Sequence, residues 1–255
     1  MKYQVLAALV SAVMLTAFTG CQKEIEIEEK PILNYTAPEE GEEIVVISVK
    51  DMGDIKIKLF PELLPKACEN FTTLAKEGYY DELIFHRVIE GFMIQGGDPK
   101  GDGTGGESCW GGKFDGGTSP QLIHVPGALC YANSGATSTN GSQFYIVTGS
   151  EMTQADLDYY ESDEFAAGMG ISYDIYFPKE AEELYKEHGG APHLDGGYTV
   201  FGQVIEGLDI VYAISQTEVA GGTSKPKKAV YMESVTVENY DGSEIRWYKS
   251  DYGIE

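Results

Sequence analysis

The sequence predicts a mainly β protein, a closed eight-stranded antiparallel β-barrel capped by two helices and carrying a helical insertion. Three observations predict it. Eight short apolar runs recur between residues 44 and 238, divided by Gly-rich loops. Two amphipathic helical patterns accompany them. Residues 150–190 depart from that rhythm and carry helical spacing of their own. The 31 Gly and 17 Tyr against 10 Pro fit a chain of tight turns and strands rather than a helical bundle.

Ile44 to Val49 and Ile55 to Leu59 flank Asp51-Met52-Gly53-Asp54, and the second run alternates with period two, so the pair is predicted as a hairpin. From Pro65 the apolar residues fall at Ala67, Phe71, Leu74 and Ala75, the stripe of one helix face, with Pro near the start and Gly78 at the end. Strands are predicted at Ile84 to Ile89, Phe92 to Gln95, Leu129 to Ala132, Phe144 to Val147, Thr199 to Val204 and Val230 to Val237. Leu208, Val211 and Ile214 mark the second helix after Gly207. Within the insertion one helical pattern covers Gln154 to Phe165. Another runs from Pro178 through the Glu182, Lys186 pair to Gly189-Gly190.

The amino terminus is organised differently. Met1-Lys2 precedes an almost unbroken apolar run from Val5 to Phe18, too short for the roughly 20 residues of a membrane-spanning helix. Small residues then lead into Cys21, a pattern that resembles the bacterial lipoprotein signal, although Phe18 stands where Leu is usual. The resemblance implies a leader over 1–20 and an acylated Cys21 that anchors an exported chain to a membrane, on either the periplasmic or the outer-surface face. Residues 21–43, rich in Glu with Pro31 and Pro38, are predicted as an extended, self-repelling tether, and 239–255 as a C-terminal tail.

The formal net charge is −23, which argues against nucleic acid as a partner, because phosphate neutralisation needs clustered Lys and Arg. Cys68, Cys109 and Cys130 lack paired spacing, and the favoured reading is small buried hydrophobes, with disulfides left open. The four His share no metal-ligand spacing, so no metal and no cofactor is predicted. Gly101-Asp102-Gly103-Thr104-Gly105-Gly106 has the composition of a phosphate loop but lacks its Lys-Ser/Thr ending, and acids surround it.

The most informative stretch is Phe85-His86-Arg87-Val88-Ile89-Glu90-Gly91-Phe92-Met93-Ile94-Gln95-Gly96-Gly97-Asp98. With Tyr131-Ala132-Asn133-Ser134-Gly135, Thr139 to Tyr145 and His193 to Gly202, in that order, the chain resembles the cyclophilin-type peptidyl-prolyl isomerases over residues 44–238. The resemblance implies isomerisation of X-Pro bonds in extended or unfolded polypeptide, with folding assistance outside the cytoplasm as the natural use. It implies Arg87 as the catalytic donor, and Phe92, Met93, Phe144 and Leu194 around the proline ring with Tyr198 beside them. Gln95 and Gln143 would orient the peptide, Asn133 would pair with its backbone, and His193 would sit at the pocket rim. His193 replaces a Trp of the best-known members, so cyclosporin binding is expected to be weakened. His86 is given a packing or hydrogen-bonding role, since the reaction transfers no proton. Two other readings stay open: a proline-peptide binding module, and an envelope scaffold in which catalysis is incidental.

Overall fold

A computed structural model describes residues 30–171 and 175–254. The leader, Cys21 and the start of the tether lie outside the described residues. The strands are β1 (Glu43–Val49), β2 (Gly53–Leu59), β3 (Arg87–Ile89), β4 (Met93–Gly96), β5 (Ala128–Tyr131), β6 (Phe144–Val147), β7 (Val200–Glu206) and β8 (Met232–Asn239). They form one antiparallel sheet in the order β3-β4-β6-β5-β7-β2-β1-β8.

The expected closed barrel is not formed; the sheet is an open, curled half-barrel. Its edges differ too much to ladder, because β3 has three residues before the Glu90-Gly91 turn and β8 has eight. The gap is spanned by the irregular segment ahead of β3. Phe85 N donates to Val230 O at 3.0 Å and Met232 N to Leu83 O at 2.8 Å, beside a single bridge between Ile84 and Tyr231. The run from Ile84 predicted as strand is strand only from Arg87 onward.

Two helices pack on the sheet as expected. Helix α1 (Pro65–Lys76) lies against β8 and β7, burying Ala67, Phe71, Leu74 and Ala75. Phe71 stands at the centre of the core, its ring centroid 4.8 Å from Tyr80, 5.2 Å from Phe144 and 5.5 Å from Phe201. Among its described residues the insertion holds three helices, α2 (Gln154–Tyr160), α3 (Asp163–Met169) and α4 (Lys179–His188), where two patterns are visible in the sequence. Helix α5 (Leu208–Ser215) then packs on β2 and β4. Ser162 accounts for the extra break, since its hydroxyl accepts from Phe165 N at 3.2 Å and starts α3 anew, one residue after α2 ends in Glu161.

The tether is a further correction. Residues 30–43, expected to be extended and solvated, lie on the domain. Ile32 is buried in the small core of the insertion with Phe165, Phe177 and Tyr185. Asn34 is fully buried, donating to Ile123 O and to Gln203 Oε1, both at 3.0 Å. The Tyr35 ring meets Trp247 and Tyr248 of the tail at 5.6 and 5.0 Å and His188 of α4 at 5.9 Å. Acidic composition therefore conceals an apolar Ile-Leu-Asn-Tyr segment whose one amide finds buried partners.

Cys68 and Cys130 are buried and Cys109 half-buried, and all three are free thiols. Burial pushes the Cys68 thiol up to about 12, so it packs as a hydrophobe.

Candidate active site

Strand register builds the site. Arg87 of β3 stands opposite Gln95 of β4, and Gln95 opposite Tyr145 of β6. Cross-strand partners share a face of the sheet, and side chains two apart on a strand share it too. Arg87, Gln95, Met93 and Tyr145 therefore project together. Phe144, one position earlier on β6, points to the opposite face and lies fully buried among Phe71, Tyr80 and Phe85. Its predicted place in the cleft is corrected: Tyr145 lines the cleft and Phe144 belongs to the core.

The projecting face floors a cleft of about 760 Å3. Phe92 and Met93 form one wall and Leu194 and Tyr198 the other, with Asn133 at one end. Arg87 stands at the edge with an exposed side chain. Its Nη1 donates to Gln95 Oε1 at 3.1 Å and its guanidinium carbon lies 6.0 Å from the Phe92 ring. Among the described residues no carboxylate pairs with it. Its charge is thus positioned but not neutralised.

Gln143 does not line the cleft. It supports the residues that do, as its Oε1 accepts from Gln95 Nε2 at 3.0 Å while its Nε2 donates to Gly105 O at 2.8 Å. A continuous chain of donors thus runs from Arg87 to the Gly-rich loop. Asp98 fixes the other side of that loop, accepting from the backbone of Lys100, Asp102 and Gly103. Burial alone would raise the Asp98 carboxyl, and these backbone donors outweigh it and hold it below its ordinary value. The loop shares only its composition with a phosphate loop, and its backbone donors are turned inward onto Asp98. Gly97 has φ +77°, and a Cβ there would stand 2.5 Å from Ser142 O, so β4 can leave the sheet this close to β6 only through glycine.

His193 is the second correction. It lies outside the cleft, behind its wall, with its ring 5.7 Å from Phe92 on one side and 5.5 Å from Tyr160 of α2 on the other. Burial depresses its imidazole to about 4, so it is neutral near pH 7.

Sequence reasoning missed several contributors. Tyr145 supplies the floor, and its hydroxyl lies 3.0 Å from His124 Nε2. His124 Nδ1 is 2.6 Å from Asp195 Oδ1, and Tyr185 of α4 donates to Asp195 Oδ2 at 2.7 Å. With the Nδ1 proton directed at Asp195, Nε2 accepts from Tyr145. The insertion is in this way connected to the floor of the cleft. His86 also lines the cleft, buried, with neither ring nitrogen hydrogen-bonded, and burial lowers its pKa. The expectation of packing holds for it and that of hydrogen bonding does not. Lys225 closes the remaining side, its Nζ donating to Gly101 O at 3.3 Å. Of these, Tyr145 had a signal, since it falls inside the Thr139 to Tyr145 motif.

The profile of the family described as "Cyclophilin type peptidyl-prolyl cis-trans isomerase/CLD" matches residues 44–237. The chain belongs to the cyclophilin family of peptidyl-prolyl cis-trans isomerases. It is 45% identical over 196 residues to a Staphylococcus aureus (strain USA300) protein named "Putative peptidyl-prolyl cis-trans isomerase", which covers 77% of this chain and 92% of that relative. A Staphylococcus haemolyticus protein of the same name is 43% identical over 197 residues, with the same coverage. Among solved structures it is similar to a Cryptosporidium parvum cyclophilin-type isomerase crystallised in the presence of the dipeptide Ala-Pro. That match has a TM-score of 0.58 at 30% identity and covers 77% of this chain and 99% of the other. A second structure of that enzyme gives 0.59 and 31%, covering 77% and 98%.

This cyclophilin is therefore an isomerase, and its cleft suits a reaction that makes and breaks no σ bond. Rotation about an X-Pro bond meets a barrier of about 18–20 kcal/mol from amide resonance, and uncatalysed exchange takes tens to hundreds of seconds. The twisted amide has a smaller charge separation than the planar form and its nitrogen has recovered a lone pair, so a cleft that joins the apolar side chains of Phe92, Met93 and Leu194 to a fixed donor is of a kind that can favour it.

Proposed function

We propose that Arg87 is the catalytic residue of this cyclophilin, its guanidinium holding the substrate carbonyl and donating toward the prolyl nitrogen as the amide twists. The observation that supports this is the Arg87 Nη1 to Gln95 Oε1 bond of 3.1 Å, which aims an unneutralised cation into the cleft. The proline ring packs on Phe92, Met93, Leu194 and Tyr145 with Tyr198 beside it, and Asn133 faces the extended backbone. The Ala-Pro dipeptide supplied to the Cryptosporidium enzyme is consistent with such a substrate. Arg87→Ala is expected to lower kcat/KM on a proline tetrapeptide about 10² to 10³-fold, the range for one preorganised donor. Activity within threefold of wild type, at an unchanged unfolding midpoint, refutes the assignment.

The clients are extended or unfolded polypeptides outside the cytoplasm, reached by a chain exported on its leader and anchored through acylated Cys21. The motif at 18–21 supports this reading. Cyclosporin binds this cyclophilin weakly, because His193, packed on Phe92 and Tyr160, presents no indole face at the rim of the cleft.

A further inference from the structure

A second cavity, of about 460 Å3, lies beside the cleft and shares Leu194 and Tyr198 with it. Its outer wall comes from the insertion. Phe165 of α3 is buried at its base, Met169 at the end of α3 stands 61% exposed at its lip, and Ile171 follows the Gly170 turn. His193 forms part of the inner wall. In a chain of net charge −23, no Asp, Glu, Lys or Arg among the described residues lines this cavity, and His193 is neutral at physiological pH. The cavity is thus lined by uncharged groups, with Phe165, Met169, Ile171 and Leu194 as its apolar side chains, is of a size that accepts a large side chain, and shares a wall with the substrate cleft.

We propose that this cavity is a second substrate subsite, which takes an apolar side chain of the same polypeptide whose proline occupies the cleft. The proposal rests on the reading that the proline lies against Leu194 and Tyr198. An extended chain advances about 3.3–3.6 Å per residue and directs alternate side chains to the same side. A site across a shared wall is therefore reached from two to four residues away from the proline. Leu and Phe are the side chains it selects, and Met169, unbranched and polarizable, adapts its lip to either. The insertion accordingly turns an enzyme for X-Pro bonds in general into one that prefers prolines near an apolar residue, as in segments destined for a core.

The test uses the full chain and nine-residue peptides with one central proline among alanines, in which a single Leu is walked from four residues before the proline to four after. Leu is expected to raise kcat/KM about five to tenfold over the all-Ala peptide at one or two positions on one side only. Met169→Glu abolishes that gain and leaves the all-Ala peptide within twofold, and Met169→Lys transfers the preference to Glu at the same position. A flat Leu walk in wild type overturns the proposal. So does a gain that survives Met169→Glu, or a Met169→Glu loss that is equal for all peptides. Absence of turnover on the all-Ala peptide overturns the placement of the proline itself, which separates the failure of that reading from failure of the subsite.

Discussion

Tyr185→Phe deletes one oxygen atom and tests the link between the insertion and the cleft. The hydroxyl donates to Asp195 Oδ2 at 2.7 Å and accepts from His124 N at 2.9 Å, and the ring is fully buried. His124 N–H keeps a partner without it, since Asp195 Oδ1 lies 3.1 Å away. The cost is therefore that of one hydrogen bond to a partly buried carboxylate, about 1.5–3 kcal/mol, without an orphaned backbone donor on top. For a domain of this size that lowers the thermal midpoint by roughly 3–12 °C. Circular dichroism melts of wild type and variant measure it, and proline-peptide turnover on the folded variant reports whether slack in Asp195 and His124 reaches Tyr145. A midpoint within 1 °C of wild type would mean that Tyr185 does not hold Asp195 as described. By the same reasoning, excising residues 152–189 is expected to destabilise the domain, because it removes Tyr185 together with the partners of Ile123 and Val125.

Neighbouring residues on β6 should respond differently: Phe144→Ala is expected to cost about 3–5 kcal/mol in urea unfolding, and Tyr145→Phe only about 1 kcal/mol, with a change in KM for proline peptides. His193 carries a pH signature. Its native pKa of about 4 lies below the ordinary 6.5, so the unfolded chain takes up a proton that the native state refuses, and stability is lost as pH falls from 6.5 toward 4. The full effect is about 3 kcal/mol, and His193→Phe, measured by urea midpoints at pH 7 and pH 4, should lose that much less than wild type. Cys21→Ser should release the protein into the soluble fraction of its cells, since one acylated residue carries the proposed anchor; persistence in salt-washed membranes would refute the anchor.

The strands, α1, α5 and most of the cleft were legible because each rests on local pattern: apolar periodicity for the elements, contiguous motifs for Arg87, Phe92, Met93 and Gln95. What was not legible depends on relations between distant segments. The pairing of Phe144 and Tyr145 illustrates it, since both are aromatic and the choice between cleft and core follows from the register with Gln95 and Gly96. Closure of the barrel depends on how many residues β3 has left before its turn, a boundary that apolar content alone does not mark. His193, which is not part of the cleft lining, packs on Tyr160, which the insertion brings from 33 positions earlier in the chain. Asn34 reads as a polar linker residue until Ile123 and Gln203 are folded around it.

The clasp around Tyr35 limits how far the catalyst can roam. The chain is held against the domain from Ile32 onward, so only about eleven residues separate it from Cys21. Fully extended they span at most about 40 Å, whereas a free segment as far as residue 43 would reach about 75 Å. With the lipid on Cys21, as proposed, the domain is confined to a shell roughly its own diameter in depth above the bilayer. Polypeptides emerging at that surface meet it at a high local concentration, and those released into the bulk do not.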